Sequence, residues 1–403
     1  MRLAVDFNSY FASVEQQLDP TLRGCPIAVV PSIAETTCCI AASHQAKVRG
    51  VKTGTLVREA KRLCPEIRLI VGDHAKYVEY HHRLVAAIDR VLQVEWTSSI
   101  DEMHCALNLR DQTPQRARAI ALRIKQSIHE NVGSQLTCSI GIAPNSYLAK
   151  TASDMQKPDG LVVLEQKDLP QILYPLELRD LCGIGSRMEL RLRAHGIDSV
   201  EQLCAASREE LRQACGSIEG RLMWARLRGE EVHAPAGAQH SIGHSHVLPP
   251  QLRNDADAHA VIHRMLQKAA MRLRRMQFVS GAMHVRISYL GHREWRRDGR
   301  FSETQDTIAL GHFLDSLWAK RPLRNIPPPM AVGVTLLALN SEHQQTLPLF
   351  AEEKPHRELY QTIDGLNQRF GKNTVYFGRA HTAREHAPMR IAFTRIPDLD
   401  TER

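Results

Sequence analysis

Residues 2–17 read RLAVDFNSYFASVEQQ, a short apolar strand that ends on Asp6 and runs directly into the start of a helix. A second acidic pair, Asp101 and Glu102 in SSIDEMHCAL (98–107), again closes an apolar stretch rich in strand-forming residues. Three carboxylates at strand ends can converge on bound cations, and such oxygen ligands support metal-assisted phosphoryl transfer. The sequence therefore predicts a carboxylate metal site at these strand ends.

Each of these acids, taken alone, has a simpler explanation. Acidic residues at strand ends commonly cap helices or lie in solvated turns. Adjacent residues of a regular strand also point to opposite faces, so Asp101 and Glu102 can serve one site only where their strand begins, bends or bulges. The polar run Thr97–Ser99, directly before them, permits such a bend.

Length and composition set the broad class. At 403 residues the chain is long enough for about two to four compact units, each with its own core. Its nine cysteines include no CxxC pair, so they favour reduced thiols over a disulfide framework or a zinc site. Charges at Arg2 and Asp6 argue against a secretory signal, and no apolar run approaches the roughly 18 residues of a membrane span. We therefore expect a soluble, cytoplasmic protein without a membrane partner.

The formal net charge is +8, and it is unevenly distributed. Between Met271 and Arg300 there are eight arginines and only two acidic residues, Glu294 and Asp298. A solvated helix face is the usual explanation of a charged run. Arginine, however, carries the planar fork that suits phosphates, and these arginines extend over a helix and the strands that follow it. Nucleic acid is therefore the leading predicted partner.

The apolar pattern predicts short strands that alternate with helices. We expect strands at residues 27–30 and 38–42 and a long helix from about 77 to 94. Farther along, a helix from about Asp255 to Met276 lies within a β-α-β-β-α-β order. The chain thus contains strands and helices in every region up to about residue 340.

Asn145 is expected to cap a helix that ends before Pro158. This helix would place Lys150 and Lys157 about two turns apart on one side. Two lysines on one face can bind phosphates or can simply be solvated, and the pattern by itself favours solvation.

Four motifs carry a resemblance to a known family. They are VDFNSYFASVE (5–15), AASHQAKVRGVKTG (41–54), SSIDE (98–102) and CSIGIAPNSYLAKTASDMQKPDG (138–160). In order and approximate spacing they resemble the Y-family translesion DNA polymerases. LCGIGSRMELRLRAHGI (181–197) is similar to the helix-hairpin-helix of that family's thumb. The resemblance covers roughly residues 1 to 345.

The resemblance implies an α+β multidomain fold: a right-hand polymerase with palm, fingers, a helical thumb and a β-α-β-β-α-β little finger. The implied domains are the palm (1–17 and 76–165), the fingers (18–75), the thumb with its helix-hairpin-helix (166–232), a linker (233–240), the little finger (241–342), and a clamp-binding peptide with a C-terminal tail (343–403).

For the chemistry, the resemblance implies a template-directed DNA polymerase that uses two-metal phosphoryl transfer in low-fidelity lesion bypass. Asp6, Asp101, Glu102 and the main-chain carbonyl of Phe7 would hold two Mg²⁺ ions, with Mn²⁺ as an alternative. The implied substrates are primer-template DNA and deoxynucleoside triphosphates.

The resemblance also assigns residues to the incoming nucleotide. The turn at Ser9, Tyr10 and Phe11 would offer backbone amides to its phosphates, and Phe11 would be the steric gate against a ribose 2′-hydroxyl. A core aromatic is the simpler interpretation of Phe11. The remaining implied contacts are the triphosphate ligands His44, Lys47 and Lys157 and the roof over the base, Cys38 and Ile40.

His44 and Lys47 stand where many family members have a tyrosine and an arginine, so this part of the phosphate grip departs from the common pattern. Lys47 keeps the charge without the bidentate fork, and His44 keeps only a donor.

Further implied contacts concern DNA and partner proteins. The turn at Gly183 and Gly185 would let backbone amides approach a DNA phosphate. QTLPLF resembles the bacterial sliding-clamp binding peptide, with Gln345, Leu347, Leu349 and Phe350 as its contacts. The tail after it is a candidate docking site for other DNA-repair proteins. The implied DNA-binding arginines are Arg272, Arg274, Arg275, Arg286, Arg293, Arg296, Arg297 and Arg300.

Two alternatives remain at this point. A catalytically silent relative with the same architecture could act as a scaffold that links DNA, the sliding clamp and another polymerase, but such relatives typically lose the metal carboxylates. A nucleotide cyclase or another palm-like phosphotransferase would not need the thumb motif, the arginine-rich segment and the clamp peptide.

Overall fold

A computed structural model describes residues 1–232, 240–291, 293–322, 326–344, 356–371 and 373–384, together with residues 391 and 396. The chain divides into two compact units. Unit 1 comprises residues 1–236 and 390–399, and unit 2 comprises residues 237–389 and 400–403. The boundary falls within the predicted linker 233–240, most of which lies outside the described residues.

Unit 1 mixes short strands with helices, in the order expected from the apolar pattern. Its elements are β1 (Arg2–Phe7), α1 (Tyr10–Leu18), β2 (Ile27–Val30), β3 (Ala41–Ala42), α2 (His44–Val48), α3 (Val57–Leu63), β4 (Arg68–Val71), α4 (His74–Asp89), β5 (Val94–Ser99), β6 (Glu102–Ala106), α5 (Pro114–Asn131), β7 (Cys138–Ala143), α6 (Ser146–Met155), β8 (Leu161–Val163), α7 (Ser186–Ala194), α8 (Val200–Ala205), α9 (Arg208–Cys215) and α10 (Glu219–Arg226).

The central sheet of unit 1 has the strand order β5-β6-β1-β7-β8. Strand β1 lies in the middle and pairs antiparallel with both β6 and β7. Its residues Leu3 to Phe7 are buried on both faces, as expected of an inner strand made almost entirely of apolar residues. This sheet fixes Asp6 at the end of a rigid central strand.

A second sheet, β3-β2-β4, carries the segment predicted as the fingers. Its small core contains Ala28, Val30, Val51 and Val57. Strand β3 is shorter than the predicted strand 38–42, because Cys39 instead exchanges backbone hydrogen bonds with the loop at Gly54 and Thr55.

Helices α7 to α10 form the helical part of unit 1, and they share a core with α6. Asn145 caps α6 as predicted: its Oδ1 accepts from the amide of Leu148 at 2.8 Å. The same side chain donates to the carbonyls of Arg226 and Glu230, at 2.7 and 2.9 Å. This buried amide therefore ties the start of α6 to the chain that leaves α10.

Unit 2 has the predicted β-α-β-β-α-β order, followed by one more helix. Its elements are β9 (Ser241–Val247), α11 (Asp255–Arg275), β10 (Phe278–Tyr289), β11 (Glu294–Thr304), α12 (Thr307–Trp318), β12 (Pro329–Ser341) and α13 (Arg357–Phe370). The sheet order is β11-β10-β12-β9, and α11 and α12 cover one face around a shared core. The predicted mixed α+β architecture is confirmed.

Within the described parts of the chain, no helix combines the length and the apolar character that crossing a bilayer would require.

Candidate active site

The three predicted carboxylates lie at one cleft of unit 1. Asp6 stands directly opposite Glu102 across the β1–β6 pair, and the amide of Phe7 donates to the carbonyl of Asp101 at 3.0 Å. The register of β5 against β6 shifts between Thr97 and Ser99, so the bend expected before the acidic pair is present. Glu102 begins β6, and Asp101 lies in the turn before it. This irregularity allows two adjacent acids to line the same cleft.

The cleft has a volume of about 580 Å³. The segments that meet there are the end of β1, the first turn of α1, the loop before β3, helix α2 and the turn before β6. The lining residues are Asp6, Phe7, Ser9, Tyr10, Phe11, Cys38, Cys39, Ile40, Ala41, Ala42, Lys47, Thr53, Gly54, His74, Ser99, Ile100, Asp101, Glu102, Lys150, Lys157 and Ile391.

Two lysine ammonium groups contact Asp6, which is only 4% exposed. Lys150 Nζ forms an ion pair with Asp6 Oδ2 and lies 3.0 Å from Glu102 Oε1. Lys157 Nζ lies 2.8 Å from the same Asp6 oxygen. The carboxylate of Asp154 forms ion pairs with both ammonium groups: Oδ2 lies 3.1 Å from Lys150 Nζ, and Oδ1 lies 2.7 Å from Lys157 Nζ.

The role of Lys150 was not predicted, although its position on the same side as Lys157 was. The available signal was Asp154, four residues after Lys150 and three before Lys157, which is the spacing of side chains that meet on a helix.

Burial and neighbouring charges shift the pKa values of the ionisable side chains in the cleft. Burial raises the pKa of Asp101, and the hydrogen bond from Ser99 Oγ, at 2.5 Å, opposes that rise. Burial also raises the pKa of Glu102, against the opposing effect of Lys150. Burial alone would lower the pKa of Lys150, but the carboxylates of Asp6, Glu102 and Asp154 raise it overall. The cleft thus holds carboxyl groups whose ionised form needs a nearby cation.

Comparison with known proteins identifies the family. The sequence profile of the impB/mucB/samB family matches residues 5–154, and the profile of the C-terminal domain of that family matches residues 239–349. The chain is 32% identical over 389 residues to a DNA polymerase IV of Moorella thermoacetica, which covers 93% of this chain and 94% of the relative. It is 28% identical over 409 residues to DNA polymerase IV 1 of Bacillus subtilis strain 168, covering 97% and 95%.

Solved structures agree with this family in fold. A Y-family DNA polymerase chimera covers 84% of this chain and 99% of its own, with a TM-score of 0.70 at 22% identity. An insertion ternary complex of Dbh DNA polymerase has the same coverage, with a TM-score of 0.54. This chain is a Y-family DNA polymerase.

In this polymerase the gate candidate Phe11 is held by two other rings. Phe11 stacks on Tyr77, with centroids 4.3 Å apart and planes 13° apart, and meets His74 edge-on at 5.9 Å. The Tyr77 hydroxyl donates to Glu15 Oε1 at 2.7 Å, which fixes the ring behind Phe11. Phe11 is half-buried and faces the cleft, unlike an ordinary core aromatic. No pattern in the sequence indicates the supporting roles of His74 and Tyr77.

The turn before α1 has an unusual backbone. Ser9 has φ 51° and ψ 40°, the left-handed conformation that side chains other than glycine rarely adopt. The first intrahelical bond of α1 runs from the amide of Ser13 to the carbonyl of Ser9, so the amides of Tyr10 and Phe11 precede it. The Tyr10 side chain is buried and donates to the carbonyl of Tyr77. Any contact of Tyr10 with a nucleotide therefore has to use its backbone.

The other nucleotide candidates divide into two groups. Lys47, Cys38 and Ile40 line the cleft, and burial together with the Lys157 charge lowers the pKa of Lys47. His44 is exposed at the start of α2 and is not one of the described residues that form the cleft wall. The backbone amide of Ile391 donates to His74 Nδ1 at 3.3 Å, which brings one residue of the C-terminal segment to the same wall.

The thumb turn has the geometry that its glycines suggest. Gly183 has φ 83°, a conformation that favours glycine, and it precedes α7 by three residues. A Cβ atom at Gly183 or Gly185 would meet no described atom within 4 Å, so the turn is open to solvent. Leu181 and Ile184, beside them, are buried and anchor the turn to the helical core.

The arginine-rich segment spans α11, β10 and β11, and its arginines differ in exposure and in their partners. Arg286 and Arg296 stand opposite each other across the β10–β11 pair, on the sheet face away from α11 and α12. Arg274 instead forms a bidentate ion pair with Asp364 of α13, at 2.8 and 2.9 Å, and also donates to the carbonyl of Gln305. The exposed members are Arg275, Arg293, Arg296, Arg297 and Arg300; Arg272 and Arg286 are partly buried.

The clamp-peptide residues Gln345, Leu347, Leu349 and Phe350 lie outside the described residues, which leaves that prediction as it was. The tail after these residues contains helix α13 (Arg357–Phe370).

Proposed function

We propose that this polymerase extends a DNA primer along a template by metal-assisted transfer of deoxynucleotides, and that it does so across damaged bases with low fidelity. The observation that carries the proposal is the convergence of Asp6, Asp101 and Glu102 on one cleft, with the ammonium groups of Lys150 and Lys157 beside them. This combination supplies oxygen ligands for cations and positive charge for a triphosphate in the same cleft.

The donor set fits divalent metal ions of the Mg²⁺ class. Three carboxylates and the nearby carbonyl of Phe7 are hard oxygen ligands. The Lys150 ammonium already lies against Asp6 and Glu102, which shows that these oxygens stabilise positive charge. When bound, two Mg²⁺ ions, or Mn²⁺ in their place, would supply Lewis-acid activation of the primer hydroxyl and neutralise charge on the triphosphate.

The lysines would then serve the phosphates. The Lys157 side chain is 38% exposed, so its ammonium can leave Asp6 and follow charge as it develops on the triphosphate. Lys47 approaches from the fingers side of the cleft, and the amides of the Ser9–Phe11 turn add donors at the helix start. His44 is the weakest candidate of this set because it lies off the cleft wall.

The walls of the cleft support selection by sugar rather than by base. The rigid stack of Phe11 on Tyr77 provides a flat barrier suited to excluding a ribose 2′-hydroxyl. Cys38 and Ile40 also line the cleft and are compact side chains, whereas a bulky roof would restrict the nascent base pair. A loose roof with a firm gate suits synthesis opposite altered bases.

The remaining assignments concern DNA, partners and location. The exposed arginines of β11 and the open turn at Gly183 are suited to DNA phosphates. The peptide Gln345–Phe350 would dock on a sliding clamp and raise the local concentration of the enzyme on DNA. All nine cysteines are free thiols, which supports a reducing compartment such as the cytoplasm.

Primer extension tests the proposal. Wild type should add deoxynucleotides in the presence of Mg²⁺ to a primer on intact and lesion-bearing templates, and Asp101→Ala plus Glu102→Ala should abolish extension while DNA binding persists. Glu59→Ala plus Glu130→Ala, which removes two exposed carboxylates, is the matched control and should extend normally. If wild type extends no primer that a control polymerase extends, the scaffold function replaces this one.

A further inference from the structure

Unit 2 contains a cluster of ligating side chains that the polymerase function does not use. His259 and His263 lie one turn apart on α11, and their Nε2 atoms lie 3.0 and 2.7 Å from the same atom, Oδ1 of Asp315 on α12. The three ligand atoms all lie within 4.8 Å of one another. Among the described residues this is the one group of three histidine, cysteine or acidic side chains found to be gathered this closely.

The spacing suits a transition-metal ion. Histidines at positions i and i+4 of a helix project from one face, which is the arrangement that helical zinc sites use. Zinc bonds to nitrogen and oxygen are about 2.0–2.2 Å long, so tetrahedral ligand atoms stand about 3.3 Å apart. The distances of 2.7 and 3.0 Å from Asp315 Oδ1 to the two imidazole nitrogens would need to widen slightly for an ion to enter, and the nitrogens already lie within 4.8 Å of each other.

The surroundings fix the orientation of all three side chains. The His263 ring is buried, and it meets the His259 ring edge-on at 4.6 Å. The His259 ring lies 4.9 Å from Trp318. Arg379 forms an ion pair with Oδ2 of Asp315, which leaves Oδ1 directed at the two histidines. Second partners that orient a ligand in this way are a regular feature of metal sites.

We propose that His259, His263 and Asp315 bind one divalent transition-metal ion of the Zn²⁺ type. Two imidazole nitrogens and one carboxylate oxygen form a ligand set that zinc prefers over the oxygen-only sets of Mg²⁺ and Ca²⁺. The fourth position opens onto a surface depression of about 600 Å³ lined by Trp318, Arg321 and His381, from which water completes the coordination.

The ion would be structural. It would join α11 to α12 directly and, through Arg379 on the other oxygen of Asp315, would support the turn at Gly378–Ala383. Without metal, the same atoms form a hydrogen-bonded tie, because Asp315 Oδ1 can accept an N–H from each histidine. A metal site and a purely hydrogen-bonded cluster of the same three side chains can be told apart by measuring whether the protein binds a transition metal.

Cobalt titration of the full-length protein tests the site, because Co²⁺ replaces Zn²⁺ and absorbs visible light when its coordination number is low. The Asp101→Ala plus Glu102→Ala background removes two of the three proposed metal carboxylates of the polymerase cleft and leaves Asp6 paired with its two lysines. In that background we expect one equivalent of Co²⁺ to produce a visible band that Zn²⁺ abolishes. His259→Asn should weaken Co²⁺ binding at least about tenfold. His312→Asn, an exposed histidine of α12, is the matched control and should leave the band unchanged.

Thermal unfolding gives a second measurement on the same proteins. Zn²⁺ should raise the Tm of the parent and of His312→Asn, and should not raise the Tm of His259→Asn. The site is disproved if the parent gives no cobalt band. It is equally disproved if His259→Asn binds Co²⁺ as tightly as the parent does.

Discussion

One oxygen of Asp6 contacts both Lys150 and Lys157, so two positive charges stabilise one buried acid. Taking these charges out of water is costly, and the cost is recovered only while they remain paired. Lys150 is the more buried of the two lysines and also contacts Glu102. Lys150 is therefore the counterion of two of the carboxylates that we propose as metal ligands.

Lys150→Met should lower the stability of the metal-free protein by about 3 kcal/mol, since it leaves buried carboxylates without their cation. Mg²⁺ should recover much of that loss, because the ion supplies the missing positive charge. Thermal melts in EDTA and in Mg²⁺ measure both effects. Lys157→Met, at the more exposed lysine, serves as the control and should cost less in EDTA. An equal loss in EDTA and in Mg²⁺ would show that Lys150 acts through packing rather than charge.

The buried carboxyl group of Asp101 should make the stability of the metal-free protein depend on pH. Burial raises the pKa of Asp101, so the folded protein binds this proton more tightly than the unfolded chain does. The ionised carboxylate therefore destabilises the metal-free fold fully above the folded-state pKa, and that penalty shrinks as the pH falls below this pKa toward the pKa of the unfolded chain. Asp101→Asn should raise the Tm in EDTA at mildly alkaline pH, and its advantage over wild type should shrink in mild acid.

Melts of wild type and Asp101→Asn over a pH series measure this difference. Glu130→Gln, which changes an exposed carboxylate of α5, should behave as wild type throughout. A constant difference between wild type and Asp101→Asn at all pH values would contradict the proposed titration.

At the scale of elements, α1 and α4 meet through the stack of Phe11 on Tyr77 beside the cleft. The ring of Tyr77 is fully buried, and its hydroxyl is tied to Glu15 of α1. The position of the proposed gate residue, Phe11, is therefore set by how two helices pack.

Phe11→Ala should admit ribonucleotides, because it removes the ring that would meet a 2′-hydroxyl. Tyr77→Leu should weaken sugar selection to a smaller extent, since Phe11 keeps its ring but loses the surface that holds it. Tyr77→Phe is the control: it keeps the stack and removes only the hydrogen bond to Glu15. Incorporation of ribonucleotides relative to deoxynucleotides is the measurement. An unchanged ratio in Phe11→Ala would make Phe11 an ordinary core aromatic.

The bounds of the strands and helices show which of them local sequence predicts. Strand β2 follows the apolar pattern closely because all four of its residues are buried, and helix α11 does so because its buried residues recur from Ala258 to Leu273. Helix α4 starts three residues before the predicted start, since Asp73 caps it, and it ends at Asp89 although apolar residues continue to Val94. The carboxylate of Asp89 accepts from the amide of Val94, which closes the turn into β5. The capping residues Asp73 and Asp89 are present in the sequence, but the spacing of the apolar residues alone predicts a helix that starts and ends later.

Contacts between distant segments could not be predicted in the same way. The convergence of Asp6 and Glu102 on one site is expected from the sequence because both lie at strand ends, whereas the stack of Phe11 on Tyr77 joins residues with no shared pattern. Arg274 was counted among the DNA-binding arginines, but Asp364 lies ninety positions away and engages its guanidinium. Such long-range pairs depend on tertiary packing, and the spacing of residues along one helix or strand does not predict them.

For the whole molecule, the net charge of +8 matters mainly through its distribution. Arg286, Arg296 and Arg300 share the sheet face that points away from the helices of unit 2. Glu294 lies 3.4 Å from Arg286 and 2.5 Å from Arg296, so one acid partly neutralises two of them. DNA that binds this face has to compete with Glu294 as well as with dissolved salt.

The salt dependence of DNA binding tests this charged face. Arg296→Ala plus Arg300→Ala should weaken binding to primer-template DNA and reduce the slope of log K against log salt by about 1 for each arginine that contacts a phosphate. Fluorescence anisotropy over a series of KCl concentrations, without nucleotides, gives the slope. Arg118→Ala plus Arg123→Ala removes two exposed arginines of α5 and is the matched control for lost net charge. If both double variants reduce the slope equally, the polymerase attracts DNA through its overall charge, and the sheet face has no special part in binding.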